Sequence, residues 1–265
     1  MLYYRTYEHP TEYEWVVFVH GAGGSSTTWF KQIRAFSQHF NVLVVDLRGH
    51  GESRYSNNKP FDSRNYTFDD ISRDILEVLD HLHIEKAHFV GMSLGSILVR
   101  NLAEMAPERV QSLILGGAIT RLNLRSRFLV GVGNLFKRVM PYLWLYSLFA
   151  WIIMPRKTHR EARSIFIQEA RKLCQKEFLR WFKLTWRINP LLRFFEEKDT
   201  PMPVLYVMGE EDHMFLPAVR RIIEKQKNCF LKVVEGAGHV CNIDRPHLFN
   251  RYVINFLQSQ AVAAA

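Results

Sequence analysis

Residues Gly91-Met92-Ser93-Leu94-Gly95 read G-x-S-x-G, and their setting constrains the fold more than any other feature of this 265-residue chain. The run Lys86-Ala87-His88-Phe89-Val90 before them reads as a buried strand. Apolar residues at Leu94, Ile97, Leu98, Leu102 and Met105 follow at helical spacing. The pentapeptide therefore sits on a strand-to-helix turn. Glycines carry no Cβ and allow close backbone approach, so the serine between them can hold a strained conformation with its hydroxyl above the carboxyl edge of a sheet. A chance match in a glycine-containing loop is the competing reading of the five residues alone.

The rest of the chain weighs against chance. Trp15 to Val19 is a second apolar strand, running into His20-Gly21-Ala22-Gly23-Gly24-Ser25-Ser26, a loop whose amides can face a developing oxyanion. A phosphate cradle is the alternative there, but no Lys-Ser/Thr pair closes the loop and no G-x-G-x-x-G opens a helix. Downstream, the strand-like run Pro203 to Val207 leads to Gly209-Glu210-Glu211-Asp212-His213, and Phe230 to Val234 leads to Gly236-Ala237-Gly238-His239. A hydroxyl is a weak nucleophile at neutral pH; it needs an imidazole to take its proton and a carboxylate to hold that imidazole. Ser93, His239 and Asp212 fit those roles, with Glu210, Glu211 and Asp199 as rival acids and His213 as the rival base.

On these motifs, together with Asp46-Leu47-Arg48-Gly49-His50-Gly51-Glu52-Ser53 and Asp244-Arg245-Pro246, the chain resembles the α/β-hydrolase superfamily over nearly its whole length. The resemblance implies a mostly parallel central sheet with helices on both faces, a helical cap inserted into it, and acyl chemistry at Ser93. It implies oxyanion donors at the backbone N–H of Leu94 and of Ala22 or Gly23, and makes His20 and His50 loop-ordering residues. It also places His213 in the substrate pocket. Relatives that open epoxides or displace halide carry aspartate at the elbow, which Ser93 excludes. The spacing from His239 to Asp244 occurs in some acyltransferases, a reading set aside because His239 already serves the serine.

Strand and helix signals alternate from about Val16 to Leu115 and resume near Pro203, which divides the chain into core 1–118, cap 119–198 and core 199–265. Charge divides the same way. From Thr120 to Lys198 there are 17 Lys and Arg against 5 Asp and Glu, a net +12 within a chain of +9, leaving −3 for the remainder. Such a cap could meet an anionic membrane face or an acidic substrate, or be a solvated face that binds nothing; without a nucleic-acid-binding motif, no nucleic acid is expected. Val139 to Met154 is the most apolar stretch. It is too short, and interrupted by Pro141, for a membrane span. It is read as a helix lining an acyl pocket through Trp144 and Trp151, with ordinary cap packing, or shallow interfacial binding beside Arg138, Arg156 and Lys157, as the alternatives.

The N-terminus lacks a signal-type apolar core, and Cys174, Cys229 and Cys241 are too scattered for a disulfide framework or zinc site, so a cytoplasmic protein is expected. The expected activity is serine-dependent hydrolysis of a small-molecule carboxylic ester with an apolar acyl group, without metal or organic cofactor. A carbon–carbon bond hydrolase of the same fold and a slow-turnover ligand receptor are the alternatives.

Overall fold

A computed structural model describes residues 1–54, 66–122, 124–137 and 139–264. Arg138, one of the cations flanking the apolar stretch, lies outside them. The frame is a seven-stranded sheet built from β1 (Tyr4–Tyr7), β2 (Trp15–Val19), β3 (Asn41–Val45), β4 (Ala87–Met92), β5 (Val110–Gly116), β6 (Val204–Gly209) and β7 (Cys229–Val234). Its order is β1-β3-β2-β4-β5-β6-β7. Only β1 runs antiparallel, pairing Tyr4 with Val45 through Tyr7 with Val42. The other strands are parallel. β2 and β3 are continuous apolar runs because both faces of the sheet are covered.

Alternate strand residues feed two cores. Val16, Phe18, Val42 and Val44 face α1 (Phe30–Phe36) and α11 (Pro246–Ala264), where Trp29, Phe36, Phe249 and Val253 are fully buried. Val17, Val19, Leu43 and Phe89 pack with α2 (Phe68–His81), α3 (Leu94–Met105) and α9 (Leu216–Ile223) through Ile71, Ile75, Ile97, Leu98 and Val219. A two-residue alternation in each strand thus builds a three-layer domain.

Between β5 and β6 the chain leaves the sheet for α4 (Leu124–Phe136), α5 (Tyr142–Ile153), α6 (Arg160–Ala170), α7 (Gln175–Lys183) and α8 (Thr185–Glu197). This segment, here termed the cap, contains no strand among the described residues. No described helix is long and apolar enough to cross a membrane. A four-residue helix, α10 (Cys241–Asp244), follows β7 and precedes α11.

The close approach of α3 to the sheet depends on two glycines. A Cβ on Gly91 would fall 2.4 Å from the carbonyl oxygen of Gly95, and one on Gly95 would fall 2.2 Å from that of Val19. Both obstacles are backbone, which has nowhere to move in a packed core. Gly95→Ala is therefore expected to lower the melting temperature by at least about 3 °C, the equivalent of roughly 1 kcal/mol in a domain of this size. Calorimetry beside the parent checks this; an unchanged midpoint would show that α3 has room to retreat.

Candidate active site

Ser93 lies between the last residue of β4 and the first of α3 with φ 54° and ψ −115°, a left-handed φ that non-glycine residues seldom adopt. Its amide donates to the Gly116 carbonyl at 2.8 Å, and its own carbonyl accepts from the Ser96 amide at 3.0 Å and the Ser96 hydroxyl at 2.6 Å. The turn is held from both sides, and the serine side chain is directed toward the loops beyond the carboxyl ends of the strands.

Those loops deliver the imidazole and the acid. His239 Nε2 stands 2.9 Å from Ser93 Oγ, and His239 Nδ1 stands 2.8 Å from Asp212 Oδ2. The other oxygen of Asp212 accepts from the Phe215 amide at 3.1 Å, and the Phe215 ring lies 5.1 Å from the imidazole. Asp212 and His239 are buried while Ser93 is partly open, so this hydrogen-bonded line is closed to solvent at its far end and accessible at the serine. Close backbone approach again makes this work: a Cβ on Gly209 would fall 2.0 Å from the Gly238 carbonyl, and one on Gly117 would fall 2.5 Å from that of His239.

The rival acids are held elsewhere. Glu210 accepts from the Gly236 amide at 3.1 Å and Asp199 from the Lys227 amide at 3.3 Å. Glu211 takes His159 Nε2 at 2.7 Å and pairs with Arg156. Desolvation is the largest single influence and raises its carboxyl, but these contacts together outweigh it and hold the carboxyl below the usual range. Asp244 accepts from the Gly238 amide at 2.9 Å, supporting the histidine loop from behind.

The glycine-rich loop after β2 rests on two buried imidazoles. His20 Nε2 accepts from the Leu47 amide at 3.0 Å, and His50 Nε2 accepts from the Gly23 amide at 3.1 Å. In each ring Nδ1 faces a carbonyl, that of Gly21 at 2.8 Å for His20 and that of Arg48 at 3.2 Å for His50. Both rings must then be neutral with the proton on Nδ1. Burial favours that form, lowering the pKa of His20 and bringing His50 down to about 3. The Gly23 N–H is committed to His50, and Ala22 and Leu94 both line the cavity beside Ser93.

That cavity has a volume of about 260 Å³ and opens at Ser93 and His239. Its walls come from the cap, chiefly Leu129, Tyr146, Phe149, Phe166, Phe182 and Ile188. Trp144 and Trp151, expected to line it, do not: they are 67% and 54% exposed on the opposite face of α5, which turns Tyr146, Phe149 and Ile153 inward. His213 is likewise exposed and absent from the lining. It follows Asp212 where the chain turns outward. Trp181 was not singled out from sequence; its indole donates to the Arg48 carbonyl at 3.1 Å while its ring packs edge-on against His50 and lines the cavity. Among the described residues, no three His, Cys, Asp or Glu side chains form a metal-ligating group.

Comparison with known proteins agrees with this architecture. A family model described as alpha/beta hydrolase fold matches residues 14–134. The chain is 29% identical over 252 residues to the protein named "Putative carbamate hydrolase RutD" of Agrobacterium fabrum, covering 89% of this chain and 90% of that one. It is 26% identical over 255 residues to "Uncharacterized carboxylesterase nap" of Bacillus subtilis, covering 92% and 79%. The crystal structure of a hydrolase from Pseudomonas aeruginosa PA01 superposes with a TM-score of 0.80 at 23% identity, over 97% of this chain and 94% of that one. The molecule is a hydrolase of this fold. The chain shares the alpha/beta hydrolase fold with these proteins.

The buried imidazoles make stability depend on pH. The folded-state pKa of His50 is about 3, depressed by burial, against about 6.5 unfolded. The unfolded chain therefore binds the proton first, and this contribution to stability, complete above pH 6.5, is lost progressively as pH falls toward 3. His50→Gln, which keeps an acceptor without a titrating ring, is expected to flatten the stability–pH slope between pH 6 and 4 by about 1.4 kcal/mol per pH unit. Urea unfolding across that window measures it; an unaltered slope would contradict the neutral, buried assignment.

Proposed function

We propose that the chain is a serine-dependent carboxylic ester hydrolase that forms an acyl-enzyme and prefers an apolar acyl group. The observation that carries this reading is the hydrogen-bonded line from Ser93 Oγ through His239 to Asp212, opening directly into an apolar cavity. Ser93 Oγ attacks the ester carbonyl carbon while His239 Nε2 takes its proton. The carbonyl oxygen becomes an oxyanion facing the Ala22 and Leu94 amides, the latter in the first turn of α3, where N–H groups have no intrahelical acceptor. His239 then gives the proton to the leaving alkoxide. A water, deprotonated by the same nitrogen, attacks the acyl-enzyme and releases the acid. Asp212 remains ionised throughout, holding the imidazole orientation and stabilising its charged form.

The names of the relatives, a carbamate hydrolase and a carboxylesterase, both belong to acyl transfer to water. The ester reading is preferred because the cavity walls are chiefly aliphatic and aromatic. Among the described residues they include no Lys or Arg to hold the carboxylate of a ring-fission acid, which argues against carbon–carbon hydrolysis. A small-molecule ester is the proposed substrate, and the free state of Cys174, Cys229 and Cys241 supports a cytoplasmic setting.

Ser93→Ala is expected to lower kcat on the order of 10⁴-fold and to abolish fluorophosphonate labelling while the fold persists. Labelling that survives the substitution would remove Ser93 from the reaction. Asp212→Asn should cost on the order of 10³-fold or more, whereas Glu211→Gln, which keeps a hydrogen-bonding partner for His159, should cost far less. Equal losses would reopen the choice of acid.

Acyl selection gives a separate measure of the cavity. Each methylene buried contributes roughly 0.8 kcal/mol, so kcat/KM for p-nitrophenyl esters should rise by up to about fourfold per carbon until the cavity is full. Phe149→Ala should move that optimum to longer chains, and Trp144→Ala should not. A flat profile, or an optimum that follows Trp144, would contradict the assignment of the pocket walls.

A further inference from the structure

Helices α4 and α5 are apolar on two faces. Their inner faces supply Leu129, Val130, Tyr146, Phe149 and Ile153 to the catalytic cavity, and Gly133 of α4 lies against the Phe149 ring of α5. Their outer faces leave large apolar side chains in solvent: Phe128 at 71%, Leu135 at 73% and Trp144 at 67% exposure, with Leu148 and Trp151 beyond, and Val139 is exposed in the connection between the two helices. Trp144, Leu148 and Trp151 recur at i, i+4 and i+7, so they form one stripe along α5. Scattered exposed apolar residues are ordinary, but a concentration on one helix pair marks a surface that meets something.

Charge identifies what it meets. From Thr120 to Arg160 the chain carries eight Lys and Arg and no Asp or Glu. Arg127, Lys157 and Arg160 are exposed, and Arg163 packs over the Trp151 ring at 3.7 Å. A second copy of the chain seated symmetrically on this face would bring like charges together, whereas an anionic lipid surface answers both features: headgroups for the cations and the acyl boundary for Trp and Leu.

We propose that the outer face of α4 and α5 docks on an anionic phospholipid surface. The helices lie in the interface plane, Trp144, Leu148 and Phe128 enter the headgroup–acyl boundary, and the flanking cations hold the phosphates. The inner faces of the same helices wall the cavity, so docking places the cavity one helix thickness from the lipid. The docking itself does not depend on the reaction assigned to Ser93.

The experiment is co-sedimentation of the full chain with vesicles of pure phosphatidylcholine and of phosphatidylcholine with one-third phosphatidylglycerol, at low and high salt. Tryptophan quenching by brominated lipid is measured on the same samples. Partitioning to the anionic vesicles is expected to exceed that to neutral vesicles by about tenfold and to fall by a similar factor at high salt, because exposed charge is screened. Trp144→Ser with Leu148→Ser should remove most of the binding and the quenching, and Arg127→Gln with Lys157→Gln should remove the preference for anionic lipid. Circular dichroism and turnover of a short water-soluble ester, both expected unchanged, show that these variants are folded. Equal partitioning to both vesicle types, binding that ignores the Trp144 and Leu148 substitutions, or a salt-resistant dimer abolished by those substitutions would overturn the proposal. Loss of the vesicle result with soluble-ester turnover retained would leave the hydrolase reading in place.

Discussion

Everything at the active site depends on one backbone conformation, the left-handed turn at Ser93. A non-glycine residue in such a region costs about 1–3 kcal/mol and persists only where its surroundings fix it. Here they do: β4 is hydrogen-bonded between β2 and β5, α3 begins at the next residue, and Gly91 and Gly95 let helix and strand approach closer than any Cβ would allow. Relaxing the turn would require separating α3 from the core that β2 and β4 share with it. The same geometry that strains Ser93 aims its hydroxyl and leaves the Leu94 amide beside it.

The acid and the base reach that serine by the same device. β6 and β7 end side by side, and the glycines that follow them bring the two loops into backbone contact, fixing the distance between Asp212 and His239 before the side chains meet. The cap is fastened to these loops by polar contacts. His159 binds Glu211 next to Asp212, Glu169 accepts from Ser25 in the glycine-rich loop at 2.6 Å, and Glu177 accepts from Tyr66 at 2.5 Å. Each joins a cap helix, or the turn leading into one, to the core.

The candidate site was legible in sequence because its markers are local: glycines at fixed offsets, short apolar strands before them, and the order serine, acid, histidine. β2 was placed at its observed bounds, and the other expected strands overlap β4 to β7. β1 was not foreseen, since Tyr-Arg-Thr-Tyr on an antiparallel edge lacks the apolar run that marks a strand buried on both faces. The pocket was misplaced for a different reason. α5 is apolar around its whole circumference, so periodicity cannot tell the face that lines the cavity from the face that leaves it. Trp144 and Trp151 were assigned inward as members of the most apolar stretch, and packing turned Tyr146 and Phe149 there instead. The joining of His159 to Glu211 is a contact across 52 residues that no local pattern encodes.

The central claim is that Ser93 carries the acyl group through a covalent intermediate. Rapid-quench kinetics with a p-nitrophenyl ester, followed by mass spectrometry of the acid-quenched protein, test it most directly. A burst of one nitrophenol per active site is expected, with the acyl mass located on the peptide containing Ser93. Turnover without an adduct, or an acyl mass on any other residue, would contradict it.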